Sequence, residues 1–444
     1  MKVIFLGCFI AATVFFSTPA PCDTIHVPSD QPTIQAGIDA AVDGDLVLVA
    51  PGIYVENIDF LGKAITLRSE AGSEGTVIDG NQAGSVVSFI SGETRNAVIN
   101  GFTIRNGFGY GGGGVLCWAS SPAVSNCTIT GNDAGDLNGG GICCVEGASP
   151  VITNCLITDN HSISGLFGLG GGICCWVYEG PTPRLTIENC TITGNTAKGS
   201  GGGIYCQSTI LIVRNCTISG NSVSSYSADG GGICCDSSMF RIANSMISDN
   251  SLNGSYTAGG GIFLSFSLGL TTNCVVTGNS AGGNKSRGGG IFSDYSFTMI
   301  TNCTISNNGA EESGGGIFLG SLGLWMTNSI LWGNCALSGQ EIYLNTGLPV
   351  VTYSDVNGGF LGKGNIDEDP LFAGEGDFHL SPDSPCVDAG RPRPIFNDTC
   401  FPPSMGTARN DMGAYGGPGA CGWFLCHKTD GDGQHNVVCG MGLR

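Results

Sequence analysis

Charge is what this sequence has least of. Only 12% of its 444 residues are Asp, Glu, Lys or Arg, about half the share usual in soluble domains. The 17 basic residues face 36 acidic ones, for a formal net charge of −19. Binding a phosphate backbone needs a basic surface, so no nucleic-acid partner is expected, nor an anionic membrane surface. Beyond the N-terminus there is no run of about 20 apolar residues, so no transmembrane span is expected. The 75 glycines show no Gly-X-Y period, which excludes a collagen-like chain. Strong helix formers are scarce, and glycine triplets would break a helix. No Cys-x-x-Cys occurs among the 22 cysteines, so a zinc site has little support. Hydrophobic residues still make up 41%, too many for a disordered chain.

The N-terminus carries an export pattern. Lys2 supplies the positive start, Val3 to Phe16 the apolar stretch, and Ser17 to Cys22 a small-residue cleavage region. Residues 1–22 are therefore expected to be a signal peptide, and the protein to be secreted or held at the cell surface. Such a compartment permits disulfides.

What the chain has in abundance is repetition. Asn-Cys-Thr-Ile-Thr-Gly-Asn, with variations, recurs eight times, from Asn126–Asn132 to Asn328–Asn334. Gly-Gly-Gly-Ile falls between the copies, beginning at Gly139, Gly170, Gly201, Gly230, Gly259, Gly288 and Gly314. The second positions of the eight copies are spaced 28, 35, 26, 29, 29, 29 and 26 residues apart. Apolar residues alternate with period two, as in Cys190 and Ile192 inward, Thr191 and Thr193 outward. A coil of this length cannot bury its apolar face alone, so coils must stack. In register, equivalent residues would lie ~4.8 Å apart along the axis. Stacked Asn amides can then bond up and down a ladder. The position before the last Asn is Gly, Asp or Asn in every copy, including Asp159 and Asp249, and reads as a left-handed turn.

The same stacking interprets the cysteines. One column runs Cys127, Cys155, Cys190, Cys216, Ser245, Cys274, Cys303, Ser329. A second runs Cys117, Cys144, Cys175, Cys206, Cys235, then Leu264, Ser293, Leu319. Exchange with Ser or Leu points to small buried slots holding free thiols, because in-register Cβ atoms sit farther apart than the ~3.8 Å of a disulfide. Cys143, Cys174 and Cys234 lie one residue earlier and should point outward. Cys143 and Cys174 could pair or bind metal, but Tyr205 interrupts that series.

The ends differ from the middle. Thr33 to Val42 reads as a short helix after Pro32, with Ile34, Ile38, Ala41 and Val42 on one face. It would cap the N-terminal edge of the stack. The repeat region is expected over 23–345, an irregular Pro- and Asp-rich C-terminal cap over 346–420, and a disordered or truncated tail over 421–444. Cys386 with Cys400 is the expected disulfide.

These landmarks resemble the repeats of polymorphic outer membrane proteins. The stretches Thr33 to Ala41 and Pro51 to Tyr54 are similar to the first coil of right-handed parallel β-helix repeat proteins within the pectin-lyase-like superfamily. The resemblance covers roughly residues 24 to 420. It implies an all-β right-handed parallel β-helix solenoid with a short N-terminal capping helix. It does not fix an activity, because the superfamily holds lyases, hydrolases, epimerases and adhesins.

Chemistry is harder to find. Hydrolases of this fold group aspartates near a Gly-His-Gly, and none of His26, His161, His379, His427 and His435 stands in that context. Asp159 and Asp249 are three coils apart, about 14 Å by the coil spacing, too far to act as a pair. Lyases and epimerases need an acidic Ca²⁺ site and a base. Arg184, Arg214 and Arg241 occupy outward positions of successive coils and could form a stripe gripping sugar carboxylates; solubilising charges are the plainer reading. Trp176, Tyr178 and Tyr205 could stack on sugars, or pack within loops. Asp430-Gly431-Asp432-Gly433 resembles the start of a calcium loop without its closing Glu, which leaves calcium as the one conceivable cofactor. The expectation is a non-catalytic surface scaffold or adhesin with a polysaccharide or cell-surface partner. The alternative is a polysaccharide lyase, glycoside hydrolase or epimerase.

Overall fold

A computed structural model describes residues 22–109, 111–135, 138–163 and 168–425. The expected signal peptide and the Asp430/Asp432 calcium loop lie outside the described residues, apart from Cys22. Each coil contributes a strand to three long sheets, called A, B and C here in the order the chain meets them. Sheet A has 13 strands, Thr24–Val27 to Leu348–Thr352; sheet B has 12, Gly52–Val55 to Asp355–Val356; sheet C has 11, Ile58–Asp59 to Ile342–Leu344. Every stacking partner comes from the next coil and runs parallel, as in Ile192↔Ile218 and Cys175↔Cys206. The result is a right-handed parallel β-helix of about 10 turns.

The repeat's chemistry explains the shape of a coil. Between sheets A and B the chain turns on one left-handed residue, the first Asn of the landmark, with φ of 53° at Asn126 and 55° at Asn189. After sheet B it turns again at Gly131, Asp159, Gly194, Gly220 and Asp249, all with positive φ, as the sequence implied. The two Asn columns therefore differ. The first is a backbone device, and only the second builds the ladder. Asn132, Asn160, Asn195, Asn221, Asn250, Asn279, Asn308 and Asn334 are buried. Each amide from Asn132 to Asn308 donates Nδ2 to the next Oδ1 at 2.9–3.0 Å. The ladder ends on Glu341, whose carboxylate accepts from the Asn334 backbone N and Nδ2.

The inner cysteines are free and buried. In the first column each thiol donates to the carbonyl two residues back, as Cys155 Sγ does to Thr153 O at 3.2 Å. It also accepts the amide of the preceding coil, as from Cys127 N at 3.5 Å. Ser245 Oγ takes the same amide role for Cys216 N. The slot wants a small group that can both give and accept weakly, hence the Cys/Ser exchange. Cys143, Cys174 and Cys234 do point away from the coil interior, but they are buried at 2%, 0% and 2% exposure in a cluster with Val145 and Tyr205. They are free thiols, and neighbouring side chains on the sheet C face cover them.

The helix spans Ile34–Ala40, with Thr33 Oγ1 accepting from Ala36 N at its start. Ile34 and Ile38 join the core of the first coils, while Val42, expected on the same face, is 58% exposed because the chain is already extended at Ala41.

At the other end the strands continue to Val356, beyond the expected limit at 345. The chain then folds back along the outside of sheet B as a strap. Gly413 N donates to Asn328 O, Asn302 Nδ2 to Asp411 O, and Asn273 Nδ2 to Ala414 O. The strap covers Val275 and Ile330, which stand in the column held by Thr128, Thr191 and Thr217 in earlier coils. Burying each of these two side chains stabilises the cap by roughly 1.5–3 kcal/mol. Cys400 pairs with Cys421, not Cys386. Cys386 is a buried thiol donating to Asp355. Closing that 21-residue separation is worth about 3 kcal/mol in the chain-entropy account. Trp423 is buried and donates Nε1 to Ala414 O. Residues 421–425 thus pack with the cap; 426–444, the rest of the expected disordered or truncated tail, lie outside the described residues.

Candidate functional site

The three arginines do not line up. Register puts Arg184 opposite Ile210, Arg214 opposite Glu188, and Arg241 opposite Ile212, three different outward columns of sheet A. Arg214 Nη1 is bonded to Glu188 Oε1 at 2.7 Å, so its fork is already engaged. The three residues form a scatter rather than a stripe, because they sit at different offsets within their coils.

The aromatic residues separate as well. Tyr205 is 8% exposed and packs with Cys174, Cys234 and partly buried Trp176. Burial, reinforced by Cys234, pushes its phenol well above the ordinary range. Tyr205 is therefore a packing residue rather than a stacking platform for sugars. Tyr178, just past the strand Ile173–Trp176, is 82% exposed. On the same outward column of sheet C, beyond Cys234, come Phe263, Phe292, Phe318 and Tyr343. Their rings stack with centroids 5.0–5.2 Å apart. Arg287 lies over Phe318 and pairs with Glu312 at 3.3 Å.

One carboxylate in this region escaped the sequence reading. Asp229 ends the strand Ser227–Asp229, in the column that continues Ser200, Asp229, Ala258, Arg287 and Ser313 just before the glycine triplets. Burial, with Asp236 nearby, raises it to about 6. Aligning the coils on their glycine triplets would have shown it as the one acid in that column. Among the described residues, no group of three or more His, Cys, Asp or Glu is placed to hold a metal ion. Asp159 and Asp249 occupy left-handed turns at 54° and 56°.

The open half of sheet B is the most regular surface. Outward Thr103, Thr128, Thr191 and Thr217 form one row and Thr130, Thr158, Thr193 and Ser219 another, interrupted in the first by Leu156. All eight hydroxyl side chains are partly exposed. Among the described residues the strap reaches no farther down than the coil of Asn244, and none of them covers these rows.

The family model described as "Right handed beta helix region" matches residues 64–285, half of the chain. No curated protein matches. Among solved structures, a pectate lyase is similar at 14% identity and a TM-score of 0.42, over 86% of this chain and 90% of that one. A pectin methylesterase from carrot reaches 13% and 0.33, over 64% and 82%. A mannuronic acid-specific polysaccharide lyase from the human gut microbiota reaches 12% and 0.28, over 79% and 92%. Likenesses this distant carry no weight for activity. The family match, together with stacked parallel coils and their buried Asn ladder, makes this chain a member of the right-handed β-helix family.

Proposed function

We propose that this protein is a non-catalytic, exported surface scaffold that holds glycans against the open half of sheet B. The observation that carries the reading is the pair of hydroxyl rows from Thr103 to Ser219. Their members repeat at the coil spacing of ~4.8 Å, except where Leu156 takes one place in the first row, and hydroxyls both donate and accept. Sugar hydroxyls need that kind of partner, and neutral rows suit an acidic protein that binds neutral chains. The test incubates the purified protein with neutral and acidic polysaccharides, with and without Ca²⁺, and measures retention and product formation together. Retention without products is expected, and Thr191→Val with Thr217→Val should weaken it several-fold. Retention unchanged by that pair overturns the reading.

Asp229 favours a second reading, a polysaccharide lyase, hydrolase or epimerase. A carboxyl raised to about 6 beside Asp236 is suited to giving up or taking a proton near neutrality. Product formation that is lost in Asp229→Asn would establish it in place of the scaffold.

A further inference from the structure

We propose that the outer face of sheet A over its last five strands is an interface that pairs with a second copy of this chain. The strands are Met239–Ala243, Leu268–Thr272, Ser296–Thr301, Leu322–Thr327 and Leu348–Thr352. Earlier coils show Thr186, Glu188 and Arg214 outward on this sheet. Ile210 and Ile212 begin an apolar run in two of the outward columns, and from Met239 onward the outward columns are apolar apart from Arg241, Gly323 and the threonines of the third column. Leu268, Trp325, Leu348 and Val350 are 48%, 55%, 79% and 51% exposed. The adjoining turn adds Phe266 and Tyr295, 62% and 53% exposed and stacked at 4.9 Å.

Backbone strain marks the same place. Phe266 and Tyr295 have φ of 46° and 45°, where the preceding coils hold Ser208 and Ser237. A left-handed backbone is costly for a bulky residue, and such strain tends to persist at functional surfaces. Here it projects two rings into solvent. Inside the face, Phe297 lies across Gly323 and meets Trp325 edge-on at 5.4 Å, so the surface is ordered before anything docks.

Area and charge both favour a second copy. With large side chains covering about 150–250 Å² each, the exposed fractions of these six residues amount to on the order of 700 Å². That is above the largest apolar patch usual on a monomer, about 300–600 Å², and close to one side of a standard interface, about 800 Å². The outward positions of the five strands hold no carboxylate, and Arg241 is their one cation. For a chain of net charge −19, this is a face on which two copies can meet without repulsion. Thr272, Thr301, Thr327 and Thr352 form a polar margin along one side, the rim expected of an interface. On sheet B the apolar residues of the same coils are covered by the strap. On sheet A nothing among the described residues covers them. A twofold pairing of this face with itself would place two sheets ~10 Å apart.

Sedimentation velocity of the full chain over a range of micromolar concentrations tests this. The expected species has twice the 45.4 kDa chain mass. Leu268→Lys with Trp325→Lys should weaken association at least ~100-fold and leave the far-ultraviolet dichroism unchanged. Wild type at the single-chain mass throughout overturns the proposal, and so does a double variant that still pairs. Hydroxyl-radical footprinting of the wild type gives a reading that needs no variant. Trp325 and Tyr295 should become protected with rising concentration, while Tyr226, 70% exposed, does not. Protection that is independent of concentration and is lost on truncation after Leu425 would assign the face to the chain's own C-terminal segment and overturn pairing.

Discussion

Removing one rung of the Asn ladder should cost far more than removing a half-buried Asn of the first column. Asn221 Oδ1 accepts from Asn195 N at 3.0 Å and Asn195 Nδ2 at 2.9 Å. Its Nδ2 donates to Ile192 O and to Asn250 Oδ1, both at 2.9 Å. In Asn221→Ala the buried Asn195 backbone N–H loses its acceptor, while Asn195 Nδ2 keeps Ile157 O and Thr193 O. An orphaned buried donor costs about 1–3 kcal/mol, and each lost bond about 1 kcal/mol more. The expected loss is about 3–5 kcal/mol. Asn189→Gly is the control. Asn189 has φ of 55° and makes one side-chain bond to Asn215 at 3.2 Å; glycine tolerates that backbone, so the change should stay within about 1 kcal/mol. Solenoids unfold locally, so one global midpoint is a poor readout. Native-state hydrogen exchange of peptides covering 190–197 and 217–224 measures the affected coils directly. Protection there should fall at least ~100-fold in Asn221→Ala, by the 1.4 kcal/mol per decade relation. A loss no greater than in Asn189→Gly would refute the ladder as a source of stability.

Two other predictions concern titration and thiol chemistry. In the cap, burial raises Asp398 to about 7 and Asp355 and Asp411 to about 6. Their folded values lie above the ordinary 3.8, so they stabilise the cap fully below about pH 4 and progressively less as pH rises through 6 to 7. Trp423 fluorescence in urea should show the cap melting at higher denaturant at pH 5 than at pH 8; the reverse order would show that these carboxyls are charged and compensated in the fold. Among the described free cysteines, Cys22 and Cys335 are exposed and the rest are buried. Burial also holds the Cys127 and Cys190 thiols well above their usual range, so alkylation at pH 8 followed by peptide mapping should label Cys335 promptly and the ladder cysteines only after unfolding.

Much of the fold was legible because the repeat states each rule several times. Two-residue alternation, left-handed positions held by Gly, Asn and Asp, and Cys replaced by Ser each have a local physical cause. Columns of equivalent residues exposed those causes without any structure. Sequence could not separate the two Asn columns. Both are Asn, yet one is selected for its backbone and the other for its amide, and only the backbone angle and the bonding of the amide distinguish them.

The site was less legible for a related reason. Arg184, Arg214 and Arg241 all face outward by parity, but parity does not reveal lateral offset or the bond from Arg214 to Glu188. Tyr205 also reads as outward, and only packing against Cys174 and Cys234 removes it from the surface. Cys386 and Cys400 are near in sequence, whereas Cys421 reaches Cys400 because the strap turns back along sheet B. The sequence by itself determined the coil, its period and its inner columns, since these follow from contacts between equivalent residues one repeat apart. Which outward residues are covered, paired or left bare depends on the cap and on side chains from other columns. Those contacts join residues that no periodicity relates, and the tertiary structure alone decided them.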